Sequence, residues 1–124
     1  ARPLNGIWAT APYLHNGSVP TLYDLMLPAF IDETRALKDI CQDGKRRPRT
    51  FYVGSREFDP EKVGFVSTRE PDSLSQLFDT GLAGNLNTGH EYAAGFTPQP
   101  GSDQALDMLC EPERMELLEF LKTL

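Results

Sequence analysis

The chain is poor in the residues that build metal and catalytic sites. It has two cysteines and two histidines in 124 residues, and no Cys-x-x-Cys-His occurs, so it has no haem-attachment motif of its own. The Cys and His are scattered without zinc-ligand spacing, which argues against a zinc site. There is no nucleophile elbow, and no Ser or Cys is tied to either histidine by a known spacing, so triad chemistry has little support. No apolar run approaches the length of a membrane span, and no signal-peptide pattern is present. A formal net charge of −6 argues against nucleic acid as a general partner. The basic cluster Lys45-Arg46-Arg47-Pro48-Arg49 runs against that trend. Cys41 and Cys110 are either a disulfide of an oxidising compartment or two independent buried thiols.

What is abundant is glycine and proline, ten of each, more than a compact helical bundle carries. The length suits one domain, and a start at Ala1 in mid-pattern reads as a mature fragment or an excised domain. Arg2 to Pro28 concentrates Trp8, Tyr13, Tyr23, His15 and four prolines. Asn16-Gly17 is a turn signal, since both residues tolerate positive φ. Thr21 is the expected N-cap of a short helix, with Asp24 placed for a reciprocal bond and for the positive end of the dipole. Leu22, Leu25 and Met26 form one apolar stripe, and Pro28 stops the helix.

Ala29 to Asp43 has partial helical spacing and reads as a second short helix or a loop with one turn, ended by Gly44. Thr50–Val53 and Val63–Val66 are short β-prone runs that could pair as a small ribbon. Ser67 to Ser75 reads as surface loop, and Gln104 to Leu109 has room for one helical turn. Gly81 to Gly95 holds four glycines and two asparagines in 15 residues, a sharply turning loop with His90 at its centre. Glu111 to Leu124 is an amphipathic terminal helix: Pro112 suits its first turn, acids lie at its start, and Leu117, Leu118, Leu121 and Leu124 mark one face.

A histidine in a loop is most often structural. His15 fits that reading, because an Asn-Gly corner offers carbonyls to its ring. His90 fits it less well, because the surrounding glycine costs backbone entropy without evident packing return. Glycine beside a histidine also clears space for the imidazole to reach a planar ligand.

The string Thr10-Ala-Pro-Tyr-Leu-His15-Asn-Gly17, followed by Thr21-Leu22, resembles the segment after the second haem-attachment site in di-haem cytochrome c peroxidases and their relatives. Glu116 to Leu124 resembles the last helix of the same c-type domain. The peroxidases place a methionine, their sixth haem ligand, at the position held here by Ala29, and Met26 reads as core. The sequence is more similar to the rubber oxygenase-like branch. That branch carries the patterns seen here as Arg47-Pro48, Phe51-Tyr-Val-Gly54, Glu57-Phe-Asp-Pro60, Val63-Gly-Phe65 and Gly84-Asn-Leu-Asn-Thr-Gly-His-Glu-Tyr92.

The resemblance implies a mainly α fold with long loops: the C-terminal part of a class I cytochrome c-like domain, with a small β-ribbon insertion. Residues 1–124 would be a single, partial domain, with 44–80 the loop and ribbon insertion. It implies haem c as cofactor, attached upstream of Ala1, and His90 as the distal ligand of the second, electron-transfer haem. Trp8, Tyr13, Leu14, Leu22 and Leu25 would wall that haem, His15 and Tyr92 would lie near it, and Arg2 and Arg47 would pair with its propionates. For Arg46 and Arg49 the expectation is a solvated loop. The implied partners are the upstream haem-bearing part of the same protein and an electron-transfer partner, in the periplasm or outside the cell. The parent would be a haem-dependent oxidoreductase, oxygenase- or peroxidase-like, with no complete active site in this chain. The alternatives are a haem-free structural or interaction domain that retains the scaffold, and a peroxidase proper.

Overall fold

The computed structural model describes residues 3–29, 41–69, 75–91, 95, 98 and 101–124. The segment expected as a second helix falls mostly on residues 30–40, outside the described residues.

Thr21 caps the first helix, α1 (Leu22–Leu25), as its sequence predicts. Its hydroxyl accepts from the Asp24 amide at 3.0 Å and donates to the Asp24 carboxylate at 2.6 Å. The amides of Leu22 and Tyr23, which a helix start leaves without internal partners, donate to the carbonyls of Val63 and Lys62 at 2.9 and 3.0 Å. This seat needs Gly64: a Cβ there would stand 2.5 Å from the Pro20 carbonyl oxygen.

Four short strands follow. β1 (Thr50–Val53) pairs antiparallel with β4 (Gln76–Asp79), Phe51 opposite Phe78. Those two rings stack at 5.1 Å. β2 (Phe58–Asp59) pairs with β3 (Gly64–Phe65), where Phe58 and Phe65 meet edge to face at 5.9 Å. The two runs expected to form one ribbon therefore belong to two ribbons with different partners, and β4 carried no expectation. Among the described residues a backbone bond, from the Tyr52 amide to the Ser67 carbonyl, links the two regions at 2.9 Å.

The last helix, α2 (Glu111–Leu121), starts at Cys110, whose amide donates to Glu113 at 2.7 Å. Cys41 and Cys110 form a disulfide with Cα atoms 5.2 Å apart. Closing a loop over a sequence separation of 69 stabilises the fold by about 4 kcal/mol in the chain-entropy treatment. The core lies between α1 and α2: Tyr13, Val19, Leu22, Tyr23, Met26, Leu27, Val63 and Leu118. The two ends of the chain meet there, with the Gly6 amide donating to the Leu124 carbonyl at 3.0 Å.

The mainly α fold is thus corrected. Among the described residues the α-helices are α1 and α2, of four and eleven residues, set against two antiparallel ribbons. The cause is local. Pro28 follows α1 within one turn, and the Gly- and Pro-rich stretches between 44 and 110 cannot propagate a helix. Gln104–Leu109 forms no helical turn; Ala105 instead bridges to Pro98. No helix among the described residues is long and apolar enough to cross a membrane.

Candidate functional site

An open, apolar hollow of about 420 Å³ lies where the N-terminal segment, α1 and α2 converge. Leu4, Ile7, Tyr13 and Leu14 line it from the N-terminal segment. Leu22 and Leu25 come from α1, Met26 from its C-cap, and Leu117 and Leu121 from α2, and His90 borders it from the glycine-rich loop. Its size falls within the range of small-molecule and cofactor sites. Leu22, Leu25 and Met26 reach it through their i, i+3, i+4 spacing, and Leu117 and Leu121 through i, i+4. Leu118, one position round the helix from Leu117, is fully buried in the core instead. So α2 serves both the core and the hollow. Tyr13 is fixed by its hydroxyl, which donates to the Ile7 carbonyl at 2.9 Å, and burial pushes its pKa up to about 12. It stays a neutral phenol throughout the physiological range.

Among the described residues, the loop that brings His90 here is held by a set of polar contacts. Asn16 Nδ2 donates to the carbonyls of Gly84 and Leu86 at 3.1 and 2.9 Å, and Ser18 Oγ to Leu86 at 3.1 Å. The Asn16-Gly17 corner thus clasps one limb of the loop. Arg47 takes the other limb. Its Nη1 donates to Asn87 O at 2.5 Å and Gly89 O at 2.6 Å. Its Nη2 donates to His90 O at 3.0 Å and to Leu25 O, on α1, at 2.8 Å. Asn87 Nδ2 closes onto Pro48 O at 3.2 Å, and the Glu91 carboxylate accepts from the Ala29 amide at 2.8 Å. His90 itself has φ of 56°, a left-handed conformation uncommon for a residue other than glycine.

Arg47 is therefore not a surface cation offered to a ligand. It is 1% exposed, and burial lowers its pKa to about 10, opposed by the nearby charges of Glu91 and Asp24. All four of its terminal N–H donors face backbone carbonyls. A cation inside a run of basic residues gives no local signal of burial.

The other expected site residues divide. Tyr13, Leu14, Leu22, Leu25 and His90 come together around the hollow. Trp8 lies in a 3-10 turn, Ile7–Ala9, and is 44% exposed beside the rim rather than among the lining residues. His15 sits exposed at the turn whose next residue clasps the loop. Arg2 and Tyr92 lie outside the described residues.

A second, polar cluster flanks the disulfide and was not expected. Arg114, fully buried, pairs with Asp43 and donates to Leu109 O at 2.9 Å. Glu111 accepts from the Tyr23 hydroxyl at 2.5 Å and from Lys45 at 3.0 Å, and these contacts hold its carboxyl below the usual range. Its charges are matched within the cluster, which ties α2 to residues 43–45.

Residues 1–32 match the sequence model of a family described as RoxA-like, cytochrome c-like. The whole chain is 42% identical to the uncharacterised protein y4iJ of Sinorhizobium fredii over 125 residues, which are 17% of that protein. A second uncharacterised protein of the same organism, y4iM, is 35% identical over 98 residues, covering 73% of this chain and 19% of that protein. The chain therefore spans less than a fifth of the length of either relative. No solved structure matches. The likeness of residues 1–32 supports a rubber oxygenase-like cytochrome segment, a domain of cytochrome c-like, haem-related type.

Proposed function

We propose that this chain is the C-terminal haem-pocket segment of a periplasmic or secreted di-haem c-type cytochrome, oxygenase- or peroxidase-like, and that His90 is the distal ligand of its electron-transfer haem. The observation that carries the reading is the apolar hollow with His90 on its border. A porphyrin needs a broad apolar wall and one nitrogen donor aimed at its metal. Among the described lining residues the wall is leucine-rich and the nitrogen donor is His90. Leu14, Leu22, Leu25, Leu117 and Leu121 would hold the macrocycle, Tyr13 would stay a neutral, fixed neighbour, and Arg2 is left as the arginine for a propionate. When bound, the haem supplies one-electron redox chemistry, and two histidine ligands would leave it no open position for substrate. The covalent anchor and the first histidine would come from upstream, and 44–80 would be an insertion in a partial cytochrome domain.

Visible spectra and a pyridine haemochrome assay on the full-length protein test this. Two haems in the parent, with one low-spin site lost in His90→Ala and unaffected in Met26→Ala, support the reading. A spectrum that responds to Met26→Ala and ignores His90→Ala would transfer the ligand to the thioether, as in a peroxidase proper. A parent without haem leaves the scaffold reading standing.

A further inference from the structure

We infer that Arg47 is the positioning residue for His90: its buried guanidinium fixes the backbone of 87–90 against α1 and so sets where the imidazole stands relative to the hollow. The inference rests on the reading of His90 as a ligand, and goes beyond it in saying what makes that ligand available.

Among its described residues the loop has no buried apolar side chain. Leu82 and Leu86 are exposed, and the loop's fully buried residue, Asn87, is polar. Burial of side chains therefore does not determine the loop's shape. Near His90 several carbonyls converge on one group, since Arg47 donates to those of Asn87, Gly89 and His90 together with that of Leu25. Leu25 is itself a lining residue of the hollow. One planar group thus joins the ligand's own peptide to the wall that the ligand faces. It also holds the carbonyl of a residue in the left-handed region, a conformation that needs support from its surroundings. The geometry requires a guanidinium. Four carbonyls are met by two nitrogens in one plane, whereas a lysine ammonium offers three donors from a single point. Glu91 and Asp24 supply the compensating negative charge.

The test uses the full-length protein with His90→Ala, Arg47→Lys and Asn16→Ala, read by visible and electron paramagnetic resonance spectra. Amide exchange across 87–91 gives a readout independent of the haem. Arg47→Lys is expected to keep a cooperative unfolding transition, lose most of the low-spin signal that His90→Ala loses, and regain it on adding free imidazole. Amide exchange at 87–91 should rise on the order of tenfold, as local hydrogen bonds are lost. Asn16→Ala, which releases only the far limb at Gly84 and Leu86, should leave the low-spin signal in place. If Arg47→Lys does not fold, the charge-balanced pair Arg47→Gln with Glu91→Gln takes its place. A spectrum altered by His90→Ala but unchanged in the Arg47 variants overturns the positioning role and leaves the ligand reading intact. Equal effects of Asn16→Ala and Arg47→Lys also overturn it, because loop tethering in general would then suffice. If His90→Ala itself changes nothing, the ligand reading falls, and the inference with it.

Discussion

The two sides of the hollow are built by different physics. On one side α1, α2 and the 13–19 turn bury Val19, Leu22 and Leu118 completely, and the wall is the outer surface of a hydrophobic core. On the other, residues 84–91 turn Leu86 outward and are held by hydrogen bonds to Asn16, Ser18 and Arg47. Apolar packing is non-directional and degrades gradually. A polar tether is directional, contributes only about 1 kcal/mol net per bond when intact, and is costly when one partner is left buried and unmet. The contrast teaches that the apolar wall and the His90 loop can fail separately, the first by global unfolding and the second by local opening.

The largest expected effect strikes the apolar side. Leu118→Ala removes a fully buried side chain between the two helices and should cost about 3 kcal/mol of global stability, read from the denaturant midpoint. Amide exchange in 84–91 should shift only as far as the global change requires. A selective loosening of the loop would show that the two sides are one cooperative unit and break the comparison. An intermediate effect belongs to the polar side. Asn16→Ala deletes the bonds to Gly84 O and Leu86 O, at about 1 kcal/mol net each. It should lower the local opening energy of the limb at 84–86 by about 2 kcal/mol while leaving 87–91 and the global midpoint almost unmoved.

The same division explains what could be read from sequence. The Thr21 cap, the α1 stripe and the start of α2 are local features, encoded within a few residues of where they act, and they appear where the sequence places them. The ribbons are not local. Thr50–Val53 and the run at Val63–Val66 were both recognisable as β-prone, but their partners depend on packing between distant segments, here Gln76–Asp79 and Phe58–Asp59. The mainly α expectation came from the resemblance and failed because the glycines and prolines of 44–110 dominate the backbone. At the site, the aliphatic residues are legible by periodicity. The burial of Arg47 and Arg114 is not, since a charged side chain in a polar stretch looks solvated until the carbonyls or carboxylate that meet it are placed. His90 stood out because of its glycines, and its support, 43 positions away along the chain at Arg47, carried no comparable mark.

The smallest effect sharpens the comparison at its seam, where two carboxylates titrate in opposite senses. Burial raises the pKa of Asp24, against the Thr21 hydroxyl bond and the charges of Lys62 and Arg47, whereas the contacts of Tyr23 and Lys45 lower that of Glu111. A lowered folded-state pKa means that Glu111 contributes stability above its unfolded pKa, and the contribution is lost as pH falls through the folded value. A raised one means that Asp24 favours the folded state most when protonated, and that contribution is lost as pH rises through its folded value. Near the ordinary carboxylate pKa values, at about pH 4, the two therefore partly cancel. Glu111→Gln should flatten the acid-side fall of the unfolding midpoint, and Asp24→Asn should steepen it. Glu111 is solvent-facing and screened, so its change should shrink further at high salt, while that of the more deeply set Asp24 should persist. Slopes of the same sign in both variants would mean that the folded chain does not hold these two acids in opposed environments, and that α1 and α2 share a single electrostatic setting.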